Sequence, residues 1–132
     1  MIYLCNTFSL LMIPPMAVGD RRGLQIERIS AAEAGELLRT SPFESAFGHG
    51  WSAWHLSRYL RVRVPASRHT IRLEGGDVLL VAEVVNKNRF TTRIDGCPKW
   101  VFYRVEYSPD SLYGAVEKNY DTSAGTQATA SK

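Results

Sequence analysis

The chain has 132 residues, a length that suits one domain and is marginal for two. Hydrophobic residues make up 45% of it and charged residues 22%, which excludes a wholly disordered or fibrous protein. The net charge is only +3, and two cysteines, Cys5 and Cys97, are too few for a disulfide framework and lack metal-ligand spacing. We therefore expect one globular domain in a reducing, cytoplasmic compartment.

The first element is an apolar strand at residues 2–5. The apolar start up to Pro15 has no basic leader and is too short to cross a bilayer, so we expect neither a signal peptide nor a membrane anchor. Asn6, Thr7 and Ser9 follow this strand, and ligand sites of α/β proteins commonly form at strand ends. These three residues are equally ordinary turn formers.

A second strand and a first helix come next. Residues 24–29 alternate in part and predict a strand. Ser30 and Glu33 form a capping box, which predicts a helix over residues 31–39 that ends at Thr40-Ser41-Pro42.

The second predicted helix starts at the Gly48-His49-Gly50 turn and runs to Leu60. Helical spacing predicts that Ala53, Leu56, Tyr59 and Leu60 are buried. A helix beside a sheet usually buries its aromatic side chains, so Trp51 and Trp54 are interpreted as partly core, with Trp51 the better base-stacking candidate.

Three more strands complete the predicted fold. They are residues 70–74, with Ile71 and Leu73 inward, residues 78–85 after a Gly75-Gly76-Asp77 turn, and residues 100–107. The near-continuous apolar run at 78–85 indicates a central strand covered on both faces. The fold class is therefore α/β, a single domain over residues 1–107 with a mixed central sheet of about five strands and helices packed on it. We expect residues 86–98 to form a polar loop and residues 108–132 to form a largely disordered tail with at most one helical turn at 110–118.

Basic side chains crowd one short region of the chain. A guanidinium can donate two parallel hydrogen bonds to one phosphate, so this cluster favours an anionic partner. The alternative is ordinary solvated charge. The cluster comprises Arg58, Arg61, Arg63, Arg68 and Arg72, beside His69.

His49 is the best catalytic candidate. It lies between two glycines at a predicted helix start, where backbone N–H groups and the helix dipole can receive a phosphate. Histidine also transfers protons near neutral pH. The simpler interpretation is a turn that carries an exposed histidine.

Residues 45–81, together with the N-terminal segment IYLCNTFSLLMI, resemble the viral type III anti-CRISPR ring nucleases. In that family a Gly-His pair opens a helix, a Val-Pro turn follows, and an arginine stands nineteen positions after the histidine, as Arg68 does here (68 − 49 = 19). The resemblance implies a two-fold homodimer that binds cyclic tetra-adenylate and cuts it without a metal or cofactor, leaving 2′,3′-cyclic phosphate ends. We expect no membrane association and infer no stable protein partner.

The resemblance also assigns residues. His49 would be the general acid and Arg68 the catalytic arginine that holds phosphate charge. The implied ligand-binding residues are Asn6, Ser9, Gly48, Gly50, Trp51, Ser52, Ile71 and Arg89.

Some positions depart from the family pattern. Gly50 and Trp51 replace an acidic or amide residue and a serine, Glu83 replaces a glutamine on the central strand, and the loop after that strand is shorter, so that the next family arginine falls at Arg89 or Lys87. These departures leave open a second hypothesis, a non-catalytic cyclic-nucleotide or RNA-binding module of a mobile element.

Overall fold

Five strands and two α-helices make up the part of the chain that the computed structural model describes, residues 1–87, 94 and 96–108. In chain order they are β1 (Ile2–Cys5), β2 (Gly23–Ile29), α1 (Ala31–Thr40), β3 (Phe43–Ser45), α2 (Gly50–Leu60), β4 (Val78–Val84) and β5 (Trp100–Ser108), with a 3-10 turn at Leu10–Met12. The predicted helical turn at 110–118, the tail from 109 onward and Arg89 lie outside the described residues.

The five strands form one mixed sheet in the order β2-β5-β4-β1-β3. β1 runs parallel to both of its neighbours, so that Leu4 lies opposite Ser45 on one side and Leu80 on the other. β5 runs antiparallel to β4 and to β2. The carboxyl ends of β1, β3 and β4 therefore meet at one edge of the sheet, where β5 begins. The predicted α/β class and mixed sheet are confirmed.

β4 lies at the centre of the sheet and is covered on both faces, as predicted. Leu80 and Ala82 pack toward the helices, whereas Leu79 and Val81 pack on the opposite face. All four side chains are buried. Because burying one such leucine stabilises the fold by about 1.5–3 kcal/mol, this strand anchors both layers.

α1 begins at the predicted capping box. The Ser30 Oγ accepts a hydrogen bond of 3.1 Å from the Glu33 amide, and Glu33 Oε1 accepts one of 3.2 Å from the Ser30 amide. Two N–H groups that a helix start leaves unpaired are thereby satisfied, which is worth about 1 kcal/mol. Neither described helix is long and apolar enough to span a membrane.

α2 presents two different stripes. Ala53, Leu56 and Leu60 pack into the core, as predicted. Trp51, Trp54 and Tyr59 are 52%, 55% and 49% exposed, so the predictions that the tryptophans are partly core and that Tyr59 is buried are wrong. The reason is that both stripes repeat at near-helical spacing, and the pattern alone does not tell which of them faces the sheet.

Residues 65–73, called the strap below, contain no regular secondary structure. The strand predicted at 70–74 is therefore wrong. The Leu73 amide donates a 2.7 Å hydrogen bond to the Met12 carbonyl, and Ile71 and Leu73 pack on the sheet face opposite the helices. The strap crosses the sheet face rather than extending it, although its alternating burial is that of a strand. The fifth strand is instead β3, whose three residues are too few to give a sequence signal.

Candidate functional site

A cleft of about 610 Å³ opens at the edge of the sheet where β1, β3 and β4 end. Ligand sites of α/β sheets form beyond the carboxyl ends of strands, and this cleft has that position. It lies between the start of α2, the segment after β1 and the end of β4. Its lining includes Asn6, Thr7, Phe47, His49, Trp51, Ser52, Glu83, Lys87 and Trp100.

His49 is the N-cap of α2 and lines the cleft. Its backbone is extended, with φ −104° and ψ 122°, and its side chain makes no capping hydrogen bond. Within the described part of the chain the imidazole has no hydrogen-bond, ion-pair or ring partner. A histidine with both nitrogens available, at the positive end of an eleven-residue helix, can meet an anionic group and exchange a proton with it.

Asn6 and Thr7 bring polar groups to the cleft directly after β1. The Cys5 thiol, which precedes them, donates a 3.0 Å hydrogen bond to the Thr7 carbonyl and fixes the turn. Burial raises the pKa of Cys5 from 9.0 to about 11. The thiol therefore stays protonated at neutral pH and is a structural group, because the thiolate is the nucleophilic form.

Arg68 lies on the strap beside the start of α2. The strap is tied there by the Ser67 amide, which donates a 2.8 Å hydrogen bond to the Phe47 carbonyl. The Arg68 Cγ lies 3.3 Å from the position that a Cβ on Gly48 would occupy. The arginine is exposed, outside the cleft lining, and has no ion pair with a described carboxylate. Its guanidinium is thus available at the flank of the His49 turn.

The two glycines of the turn have different environments. A Cβ on Gly48 would meet Arg68, whereas a Cβ on Gly50 would meet nothing within 4 Å. A side chain at position 48 would therefore require the Arg68 stem to shift by a few tenths of an ångström. Gly50 leaves open space at the helix start, and Trp51 and Ser52 line the cleft beyond it.

The end of β4 contributes two charges of opposite sign. Glu83 and Lys87 both line the cleft, and Glu83 is the one carboxylate in its described lining. From the sequence, Glu83 was recognised only as a departure from a family pattern and not as a candidate site residue. Its position directly after four apolar residues of β4, which are all buried, was the signal that could have located it at the strand end. Of the two proposed positions for a second cation, Lys87 lies at the cleft, and Arg89 is outside the described residues.

Four described residues that were assigned to ligand binding are outside the cleft lining, namely Gly48 and Gly50, which flank His49, and the more distant Ser9 and Ile71. The Ser9 Oγ accepts a 3.2 Å hydrogen bond from the Leu11 amide and caps the 3-10 turn, outside the cleft lining. Ile71 is 3% exposed and packs with Leu79 on the far face of the sheet. The Ile71 side chain is thus buried in the core and lies outside the cleft lining, and its assignment to the ligand stays a prediction.

Among the described residues, no group of three or more His, Cys, Asp or Glu side chains is arranged to hold a metal ion. The groups that the cleft and its flank assemble are an imidazole, two cations, one carboxylate, an exposed indole and the start of a helix.

Comparisons with known proteins give a consistent result. The family model described as STIV B116-like matches residues 2–91. An uncharacterized protein of Acidianus two-tailed virus, ORF117, is 40% identical over 78 residues, covering 58% of this chain and 62% of its own length. Uncharacterized protein 26 of a Sulfolobus islandicus filamentous virus is 34% identical over 80 residues, covering 61% of this chain and 64% of its own. The chain thus spans less than two thirds of the length of either relative.

A solved structure has the same fold. B116 of Sulfolobus turreted icosahedral virus superimposes with a TM-score of 0.60 at 18% identity, covering 80% of this chain and 97% of that one. At this identity the likeness concerns the arrangement of sheet and helices alone. The cleft and its residues must be argued from their own chemistry.

Proposed function

The chain belongs to the STIV B116-like family of viral proteins, and from that premise and the chemistry of the cleft we propose that it is a metal-independent ring nuclease that opens cyclic oligoadenylates, cyclic tetra-adenylate foremost. The observation that carries the proposal is the imidazole of His49 at the N-cap of α2, which has no partner among the described residues. It faces a cleft large enough for a nucleotide and is flanked by the Arg68 strap.

The cleft offers both kinds of contact that an oligoadenylate needs. Phosphate oxygens accept hydrogen bonds from N–H groups at a helix start, and the helix dipole favours their charge. Lys87 at the cleft and Arg68 at its flank supply full positive charges. Trp51 presents a half-exposed indole to an adenine ring.

The proposed reaction is an internal transesterification. The ribose 2′-oxygen attacks the adjacent phosphorus in line, a P–O2′ bond forms, and the P–O5′ bond breaks. His49 donates its proton to the departing 5′-oxygen, since general acids of this kind contribute roughly 10²–10⁴-fold. The products are a 5′-hydroxyl and a 2′,3′-cyclic phosphate.

The 2′-hydroxyl must lose a proton in the same step. Glu83 is the carboxylate of the described cleft lining, and we assign it the role of proton acceptor. Its negative charge also repels the phosphate, so it weakens ground-state binding. Arg68 and Lys87 offset that repulsion and hold the charge that develops on the phosphoryl oxygens.

We further propose that two copies act as a homodimer. A symmetric ring presents equivalent phosphates to two copies of one site around a two-fold axis. Two cuts then release two linear di-adenylates. The biological setting would be the cytoplasm of an infected host, where such an enzyme removes the second messenger of type III CRISPR defence.

Incubation of the purified protein with cyclic tetra- and hexa-adenylate in EDTA tests the activity. Chromatography should resolve linear products with cyclic phosphate ends, and His49→Ala should slow their appearance at least a hundredfold. Gln25→Ala, an exposed change on β2 at the opposite side of the sheet, serves as the matched control. Rings that stay intact after long exposure to stoichiometric protein would rule the proposal out.

A second candidate function is binding of the ring without cleavage. The observation in its favour is the pairing of Gly50 with an exposed Trp51 at the helix start, which offers a stacking surface but no further reactive group. A pure binder would hold the ring as tightly after His49→Ala and would show no turnover before it. Isothermal titration with both proteins separates the two functions.

A further inference from the structure

The outward face of α2 carries an unbroken series of aromatic and cationic side chains. The Trp51 and His55 ring centroids are 4.2 Å apart, and those of Trp54 and His55 are 4.9 Å apart, edge to face. The Arg58 guanidinium lies 4.9 Å from the centre of the Trp54 ring. Both indoles are nevertheless half exposed. This group is called the α2 stack below.

Charge identifies the kind of partner that this face can accept. α2 itself contains no acidic residue, and Arg58 is the arginine that it carries on this face. Arg58 has no carboxylate partner in the described part of the chain. A second copy docked here across a two-fold axis would bring no carboxylate of α2 to Arg58, whereas an anionic partner would neutralise it. The face therefore favours a polyanion over self-association.

A groove makes the face concave. It has a volume of about 400 Å³ and lies between α2 and the segment before β5. Trp54, Arg58 and Tyr59 line one wall, and Pro98 lies on the other. A flat ring entering this groove would contact an indole face and a guanidinium together.

We propose that the α2 stack binds unpaired polynucleotide, with bases stacked on Trp51 and Trp54 and a phosphate at Arg58. Base–aromatic stacking tolerates any base, because every base has a π-face, and a nearby guanidinium adds to it. A duplex cannot use the rings, since its base faces are already stacked. This site would bind a linear strand without cleaving it. It is therefore distinct from the ring-opening site proposed at His49, although Trp51 lies at the border of both sites.

The test uses a strand that the protein cannot cleave by the proposed route, a twelve-residue oligodeoxyadenylate, which lacks the 2′-hydroxyl. Binding is followed by tryptophan fluorescence. Two of the three tryptophans belong to the α2 stack, and the third, Trp100, is only 8% exposed. We expect saturable quenching, and affinity about five- to hundredfold weaker for Trp54→Ala. Trp54→Tyr should recover most of the affinity, because a stacking ring is restored.

Arg58→Gln tests the phosphate contact. It should reduce the salt dependence of binding, log K against log [salt], by about 0.7, the value for one phosphate of a single strand. Arg28→Gln, which removes an exposed arginine from β2, is the matched control and should change affinity less than twofold. Oligoadenylate RNA tested with His49→Ala compares the two sugar types, and both should bind.

Three outcomes overturn the inference. One is unchanged oligonucleotide affinity in Trp54→Ala. Another is a duplex that binds as tightly as the single strand. The third is a sedimentation experiment in which Trp54→Ala converts a dimer to a monomer at unchanged affinity, which would make the face a subunit interface. None of these measurements depends on ring cleavage. A wild-type protein that does not cleave the ring would therefore contradict the proposed enzymatic function without affecting this test.

Discussion

Arg68 crosses Gly48 so closely that its Cγ lies 3.3 Å from where a Cβ on residue 48 would stand. Two ties hold the strap beside this contact. The Ser67 amide donates to the Phe47 carbonyl, and the His69 Nε2 lies 3.1 Å from the Glu44 Oε1 on β3. Arg68 lies in a segment without regular secondary structure, and the contacts of its two neighbours in sequence hold it beside the turn that contains His49. Because Gly48 has no side chain, the Arg68 stem can lie this close to the turn.

The two glycines of the turn should respond differently to alanine. In Gly48→Ala the new methyl displaces the Arg68 stem, so we expect ring affinity and turnover to fall about tenfold with a small change in melting temperature. In Gly50→Ala the methyl enters open space at the first helical position, and stability should rise by up to about 0.5 kcal/mol. Thermal unfolding and ring-cleavage kinetics measure both. Equal loss of activity in the two variants would contradict the assigned role of Arg68.

Glu83→Gln should separate binding from catalysis. Removing the negative charge relieves repulsion of the phosphate, so the ring should bind several-fold more tightly to a Glu83→Gln, His49→Ala protein than to His49→Ala alone. Removing the proton acceptor should lower kcat roughly 10²-fold in the otherwise native protein. Single-turnover kinetics and titration calorimetry give the two numbers. Unchanged kcat would assign the proton to another group.

The buried Cys5 predicts how stability depends on alkaline pH. Burial raises its pKa from 9.0 to about 11, so the folded state keeps a proton that the unfolded state releases. The contribution to stability is complete below about pH 9 and is lost as pH rises toward 11, by at most about 2–3 kcal/mol. Urea denaturation at pH 8 and at pH 10.5 should show the loss. Cys5→Ala should be less stable at pH 8 and should show a smaller decrease between the two values.

Ile71→Ala should destabilise the protein without touching the ligand. Its side chain is buried in the cluster on the face opposite the helices, so truncation leaves a cavity that costs about 2–5 kcal/mol. Leu10→Ala, at a side chain that is 72% exposed, should cost little and serves as the control. Denaturant midpoints measure the stability, and ring affinity below the transition should match the wild type. A specific loss of ring affinity would instead support the assignment of Ile71 to the ligand site.

The sequence predicted an element correctly where its residue pattern is compatible with only one local structure. The capping box of Ser30 and Glu33 located α1, and the apolar run of β4 located the sheet centre, because each pattern satisfies backbone groups or burial in a single way. The prediction of a strand at 70–74 was wrong because the pattern there is compatible with more than one local structure. Alternating Ile71 and Leu73 bury equally well in a strand or in a segment laid across a sheet, and only the hydrogen bond to Met12 distinguishes them.

The site was predictable in part. His49, Asn6 and Trp51 were found because a helix start and a strand end are visible in sequence, and both meet at the cleft. The positions of Glu83 and Lys87 at the cleft depend on β4 lying beside β1, which is a tertiary fact. The exposure of Trp51 and Trp54 was missed because helical periodicity identifies a stripe and not its direction.

The parallel pairing of β1 has a kinetic consequence. Ile2 finds its partners at Phe43 and Val78, which are 41 and 76 positions away (43 − 2 and 78 − 2), so the strand that leads into the cleft is completed only by long-range chain closure. Contacts so distant in sequence slow folding, and they form after local helices have begun to appear. Nascent or truncated chains that lack β4 should therefore have no partial cleft, and its appearance during refolding reports completion of the whole sheet.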